Sequence, residues 1–350
     1  MNNWNLNIKM VKIYRLLATA VICWCFSNAN IAFGKDVKLS LTKIENFAQA
    51  AVPENKKAVT NFEQGTNLYK QGDLKGAEAA FRKAIQLEPK FIQAYIALGN
   101  TLDDQGKLQE AIAQYQKAIS LDPKSAKAHF HLGNSFYVQG KFPEAITKYE
   151  QAISFDPQYA EAHYYLGNAF YAQGNAAKAV AEYTTAIRLE PKNAASYNAL
   201  GNVFFAQGKV EEAIPHYQQA ISINPQNAEA HYNLASAFYA QGKLTEAVAD
   251  YTQAIRLNPK HAQAYTGLAN AMDDRGKPQE AIANYKKAIS LLPDYAYAYY
   301  NLGITLGREQ QREEAIANFK KARELFQAEE NTDMVEQIDR LIEKIKGNGE

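Results

Sequence analysis

Cysteine is nearly absent from this chain. Its 350 residues hold two, Cys23 and Cys25, and both fall in the first 25 positions. The remainder has no disulfide framework, and a thiol-free chain suits an oxidising compartment. A charge excess of one sign is also missing. Lys and Arg number 38 and Asp and Glu 37, for a net charge of +1. That balance argues against a nucleic-acid footprint and against a polybasic membrane surface. Catalytic signatures are missing too: there is no Gly-rich phosphate loop, no H-E-x-x-H, no G-x-S-x-G and no catalytic Cys pair. Of the six His, His129 and His131 leave a helix on nearly opposite sides, so no metal site and no cofactor are expected. Adjacent acids such as Asp103-Asp104 do not share a substrate as acid and base. The chain is therefore expected not to be an enzyme.

Long apolar runs are scarce. The longest notable one, Leu16 to Phe26, follows Lys9, Lys12 and Arg15 and precedes Ser27-Asn28-Ala29. A basic region, an apolar run of 11 and a small-x-small site read as a secretory signal, residues 1–29, cleaved after Ala29 or alternatively after Ala32. The run falls short of the about 20 residues that a membrane span needs. An uncleaved anchor over residues 16–33 is the alternative. Neither Cys stands in a lipoprotein context. Loss of the three basic residues moves the net charge from +1 to −2. The expected location is exported: periplasmic, lumenal or secreted.

What the chain has in abundance is repetition. Small residues and Pro return every 34 positions. Gly65, Gly99, Gly133, Gly167, Gly201, Ala235, Ala269 and Gly303 form one column. Ala179 and Ala186 each head columns with seven counterparts, and Pro191 recurs from Pro89 to Pro293, with Gln327 in the eighth place. Eight units fill residues 58–329 without an insertion: 58–91, 92–125, 126–159, 160–193, 194–227, 228–261, 262–295 and 296–329. Such self-similarity overrules the two ordinary domains that length alone suggests. Each unit reads as two helices with Gly at the first stop, as at Gly174, and Pro after the second, where it ends one helix and starts the next. Small residues let the helices approach, and aromatics fill the rest.

In the fourth unit His163, Leu166-Gly167, Phe170, Ala179, Tyr183, Ala186 and Pro191 resemble the tetratricopeptide repeat (TPR) pattern. The resemblance covers all eight units and implies an all-α, right-handed superhelical solenoid of helix-turn-helix repeats. Departures lie at the ends: Gln64 replaces the usual Leu, and the last unit has Gln310 and Gln327 for Gly and Pro. Terminal repeats are expected to be atypical because one face lacks a neighbour. Residues 30–57 are expected to form a lead-in whose Leu41, Ile44, Phe47 and Ala48 cover the first repeat. Residues 330–350 are expected to form a capping helix with the stripe Met334, Ile338, Leu341, Ile342 and Ile345, capped by Asn331 or Thr332. Lys107, Lys141, Lys209, Lys243 and Lys277, each with Glu three residues on, are expected to form i,i+3 pairs on a solvated edge.

The resemblance also implies that the first helix of each repeat lines a groove. Its ninth position carries Asn100, Asn134, Asn168, Asn202 and Asn270. Amides offer both donor and acceptor and can bracket a peptide backbone, much as in the repeat arms of O-linked N-acetylglucosamine transferases; Asn is also common there in the family as a whole. The twelfth position carries Tyr137, Tyr171, Phe205 and Tyr239, suited to binding, flanked by Asp103 and Asp273 of two Asp-Asp pairs. Phe130 and Tyr164 are candidates for packing between repeats. Lys70, Lys127 and Arg308 are the few basic residues inside, so a ligand with basic flanks fits better than an acidic tail. Changing Asn134, Asn168 and Asn202 together to Ala is expected to leave melting nearly intact while weakening capture.

The resulting expectation is a non-catalytic scaffold or assembly factor that binds an extended peptide or helix of a partner protein. It would bind no nucleic acid and no metal, and would meet a membrane only through an uncleaved N-terminus. Alternatives are an accessory subunit of an enzyme such as a glycosyltransferase-like complex, a membrane-tethered spacer, or carbohydrate binding by the aromatic groove.

Overall fold

The computed structural model describes residues 55–347. The signal or anchor and nearly all of the lead-in lie outside the described residues, as does the end of the chain. Among the described residues there are seventeen helices and no strand. None of these helices is long and apolar enough to cross a membrane.

The helices fall into two compact units that divide between Lys192 and Asn193. The first unit holds α1 (Lys56–Lys70), α2 (Leu74–Leu87), α3 (Ile92–Asp104), α4 (Leu108–Leu121), α5 (Ala126–Val138), α6 (Phe142–Phe155), α7 (Ala160–Ala172) and α8 (Ala176–Leu189). The second holds α9 (Ala194–Ala206), α10 (Val210–Ile223), α11 (Ala228–Ala240), α12 (Leu244–Leu257), α13 (Ala262–Asp274), α14 (Pro278–Leu291), α15 (Ala296–Arg308), α16 (Arg312–Ala328) and α17 (Thr332–Gly347). Within each unit every helix packs on the next, and the first helices of successive repeats also meet.

The small-residue columns have a specific cause. A Cβ on Gly167 would stand 2.7 Å from Cε1 of Tyr183, and one on Gly99 2.4 Å from Cε1 of Tyr115. The ring lies flat on the glycine of the partner helix, and Tyr115, Tyr149, Tyr183, Tyr217, Tyr251 and Tyr285 are all fully buried. Burial of one such ring stabilises by roughly 1.5–3 kcal/mol. The turn glycines answer a different need. Gly174 has φ +78°, with open space around its Cβ position, and the amide of Asn175 reaches back to the Phe170 carbonyl at 2.8 Å. This six-residue closure requires left-handed backbone.

Two expectations are corrected. Pro191 does not start the next helix, which begins at Ala194 behind Asn193, whose side chain accepts from the Ser196 amide. Related turns use Asx chemistry: Asp156 accepts from the Gln158 amide across Pro157. The lysine row is only partly an i,i+3 ladder. Lys277 meets Glu280 at 2.7 Å, but Lys107 pairs with Glu78 of the preceding repeat, and Lys209 and Lys243 lie over Phe204 and Phe238. The outward side of α1 carries exposed Lys57, Glu63, Gln64 and Asn67, and the residues expected to cover it lie outside the described residues. Gln64 stands exposed where later repeats bury Leu.

At the other end α17 buries Met334, Ile338, Leu341, Ile342 and Ile345 on the last repeat. Asn331 caps it through the Met334 amide, and Arg323 of α16 grips Asp339 with two nitrogens, at 2.7 and 3.1 Å.

Candidate functional site

The amide column has internal partners. In the first unit the Tyr115 hydroxyl donates to Oδ1 of Asn100 at 2.8 Å, Tyr149 to Asn134 at 2.7 Å and Tyr183 to Asn168 at 2.7 Å. In the second unit Tyr217 donates to Asn202 at 2.9 Å and Tyr285 to Asn270 at 2.6 Å. Each bond joins the first helix of a repeat to the buried ring of its second helix, 15 residues on. Sequence reasoning missed this pairing, although the recurring 15-residue interval between the two columns carries it. The consequence is chemical. The amide oxygen is already used, so a half-exposed Asn134 or Asn168 offers its Nδ2 donor rather than both edges of the amide.

The two units present this face differently. In the first, Asn100, Asn134, Asn168, Tyr137 and Tyr171 are all half-buried, and Tyr164, Tyr165 and His131 are as well. Burial, then the neighbouring Tyr164, pushes the Tyr137 hydroxyl up to about 12, so it remains a neutral donor. Rings run in contact along this face: His131 stacks on Tyr115 at 5.6 Å, and Tyr164 meets Tyr165 edge-on at 5.2 Å. Phe130 is fully buried against Tyr159 and Tyr165 and belongs to the packing.

In the second unit Asn202 remains half-exposed, but Asn270 is only 3% exposed and Phe205, Tyr239 and Asp273 only 6%. These four, expected to line an open groove, are turned to internal work. Tyr239 donates to Asp274 at 2.8 Å, and Asp273 accepts from Thr305 at 3.0 Å and pairs with Arg308. Tyr300 is held by Gln337 of α17 at 2.6 Å. The partners lie 32 to 37 residues away, on the next first helix or on the terminal helix.

The acids differ in the same way. In the first unit Tyr69 donates to Asp104, as Tyr239 does to Asp274. Asp103 accepts from Tyr115 at 2.7 Å through Oδ2. Burial raises the Asp103 carboxyl to about 6; the Tyr115 hydrogen bond opposes this, Asp104 adds to it, and the Ser135 hydroxyl favours the charged form. Burial also raises Asp104, against the pull of Tyr69. Neither acid owes its ionisation to a cation. Among the described residues no cluster of His, Cys, Asp and Glu is arranged to hold a metal ion.

Comparison with known proteins agrees with this architecture. A family model described as TPR repeat matches residues 65–106, 99–140, 133–174, 167–208 and 201–242. Models described as tetratricopeptide repeat match 232–296 and 284–317. No curated protein matches the chain. Among solved structures, a tetratricopeptide repeat protein from Parabacteroides merdae is 21% identical with a TM-score of 0.55, covering 72% of this chain and 99% of its own. Pseudomonas aeruginosa PilF is 21% identical with a TM-score of 0.54, covering 58% and 92%. The Cut9–Hcn1 hetero-tetramer of the APC/C gives 15% identity and a TM-score of 0.60, covering 91% and 62%. At these identities the likeness shows the fold, all-α helical repeats. Repeats of this kind support a protein-interaction scaffold in general terms. With a small residue, Gly or Ala, and a ring in register at each pair and family models matching from residue 65 to 317, this chain belongs to the tetratricopeptide repeat family.

Proposed function

We propose that the first unit captures an extended segment or helix of a partner protein on the face built by α3, α5 and α7, without catalysis. The observation that carries this reading is the contrast between the units. Asn134, Asn168, Tyr137 and Tyr171 stay half-exposed together, whereas Asn270, Phe205, Tyr239 and Asp273 are buried. Nδ2 of each amide donates to a partner's backbone carbonyl, and the tyrosine rings supply rigid contact area. Tyrosine loses few rotatable bonds on binding, so such a surface wastes little entropy.

A photo-reactive phenylalanine analogue placed at Tyr171 tests this in the full chain, with the same analogue at exposed Gln116 on the second-helix side as control. A discrete protein adduct at position 171 alone is expected. Equal labelling at both positions, or none at 171, removes the reading. We further propose that this capture takes place after export, directed by residues 1–29. N-terminal sequencing of the mature protein checks it, and an intact Met1 on the recovered protein removes that part.

A further inference from the structure

The sequence repeats its Asp-Asp pair at an interval of 170 residues, five repeats, so each feature around Asp103 has a matched place around Asp273. At Asp273 the chain completes the site itself. Thr305 donates to Oδ2 at 3.0 Å, and the Arg308 guanidinium pairs with the same carboxylate. Around Asp103 the hydroxyl is kept but the guanidinium is lost. Ser135 stands in the place of Thr305 and keeps the same bond to the carbonyl four residues back, at 3.3 Å, while its hydroxyl also favours the charged form of Asp103. Val138 stands in the place of Arg308, and it is 50% exposed, one of two large apolar side chains so open among the described residues. Oδ1 of Asp103 is buried and has no hydrogen-bond partner. A buried carboxylate oxygen left unpaired is costly.

Resting on the partner-binding role proposed for the first unit, we infer that the Asp103 carboxylate receives the guanidinium of an arginine carried by the captured segment. This fills in trans the place that Arg308 fills in cis at Asp273. The chemistry is a fork of N–H donors on a carboxylate, the strong form of charge-assisted hydrogen bond. Tyr69, whose hydroxyl is committed to Asp104, and Tyr115, committed to Asp103 and Asn100, frame the acid without neutralising it. The second acid, Asp104, adds attraction at longer range. Val138, half exposed, carries no charge to take the place that Arg308 takes beside Asp273.

The test uses the full chain and three blocked, fluorescent alanine–serine peptides, identical except for a central arginine, lysine or citrulline. Fluorescence anisotropy at neutral pH and low salt is expected to show the arginine peptide binding at least about tenfold more tightly than citrulline. Lysine is expected to fall between them. Val138→Arg rebuilds the internal pair and is expected to abolish the arginine preference while keeping helicity and without loss of melting temperature, as is Asp103→Asn. Binding of the arginine peptide is also expected to fade below pH about 6, where Asp103, facing Asp104, Tyr69, Tyr115 and Ser135, takes up its proton. Equal affinity for arginine and citrulline, or a Val138→Arg protein that keeps the preference, overturns the inference and leaves capture by the tyrosine and amide face standing. If none of the three peptides binds and the photo-adduct at position 171 is also missing, both readings fall.

Discussion

The Tyr149 hydroxyl lies 2.7 Å from Oδ1 of Asn134, joining the fully buried ring of one helix to a half-exposed amide on the other. A residue read from sequence as ligand-facing is thus also a structural partner. The expectation that Ala at Asn134, Asn168 and Asn202 leaves melting nearly intact therefore has to change.

Asn134→Ala leaves a buried tyrosine hydroxyl without its acceptor, at a cost of about 1–3 kcal/mol. Tyr149→Phe alone removes the donor from a half-exposed amide and costs less. Chemical denaturation of both single variants and the double variant should show coupling, with the double less destabilised than the sum. Strict additivity would mean that the bond contributes nothing. Asn134→Asp keeps the acceptor and deletes the Nδ2 donor, so it is the variant that isolates partner binding from folding.

The last turns of the array carry left-handed backbone without glycine, at Gln310 with φ 63° and Glu330 with φ 58°. Gln310→Gly should stabilise by roughly 1 kcal/mol, and Gly174→Ala should destabilise by ~1 kcal/mol, since its Cβ meets nothing and only the backbone objects. Thermal melts of the two variants, shifted in opposite directions, are the check.

Asp103 gives a pH signature. Its folded value of about 6 lies above the ordinary 3.8. Below 3.8 both folded and unfolded chains hold the proton, and the group's favourable contribution is fully present. It is lost as pH rises through 6, because the folded chain then carries a buried charge. Asp103→Asn should therefore melt higher than the native chain at pH 7.5 and show no such gain at pH 3.5. With water reaching part of this side chain, the gain should not exceed ~1–2 kcal/mol. A gain that is the same at both pH values would refute the assignment.

Ile338 is fully buried beneath the last repeat. Ile338→Ala should cost about 2–5 kcal/mol by loss of packing and the cavity left behind. Hydrogen exchange should accelerate in α15 to α17 while α1 to α8 stay protected. Uniform acceleration throughout would show that the units unfold as one.

The repeat frame was legible because every pair reuses the same contact. Gly167 against Tyr183 and Gly99 against Tyr115 are one geometry written in two fixed columns, and a period needs no tertiary information. Site exposure was not legible in that way. Tyr171 and Tyr239 occupy the same column, but one is half-open and the other is closed by neighbours on helices roughly one repeat away. Arg308 was read as a groove cation because its column faces inward, and nothing local showed that Asp273 would claim it. Pro191 was misplaced by three residues, since Asn193 competes successfully for the helix start. The lysine row misled because partners on other helices, Glu78 and the Phe204 and Phe238 rings, compete with the i+3 glutamates.

The terminal helix carries a further consequence for self-association. It occupies the position a ninth repeat would need. While one side of α17 is spent on Ile338 and Leu341, its other side shows Glu336, Arg340 and Glu343, each more than two-thirds exposed. Stacked helical modules are prone to run on into filaments when a bare apolar end meets the start of another copy. Here that end of the second unit is finished in mixed charge, so the terminal helix offers no bare apolar surface for another copy to extend.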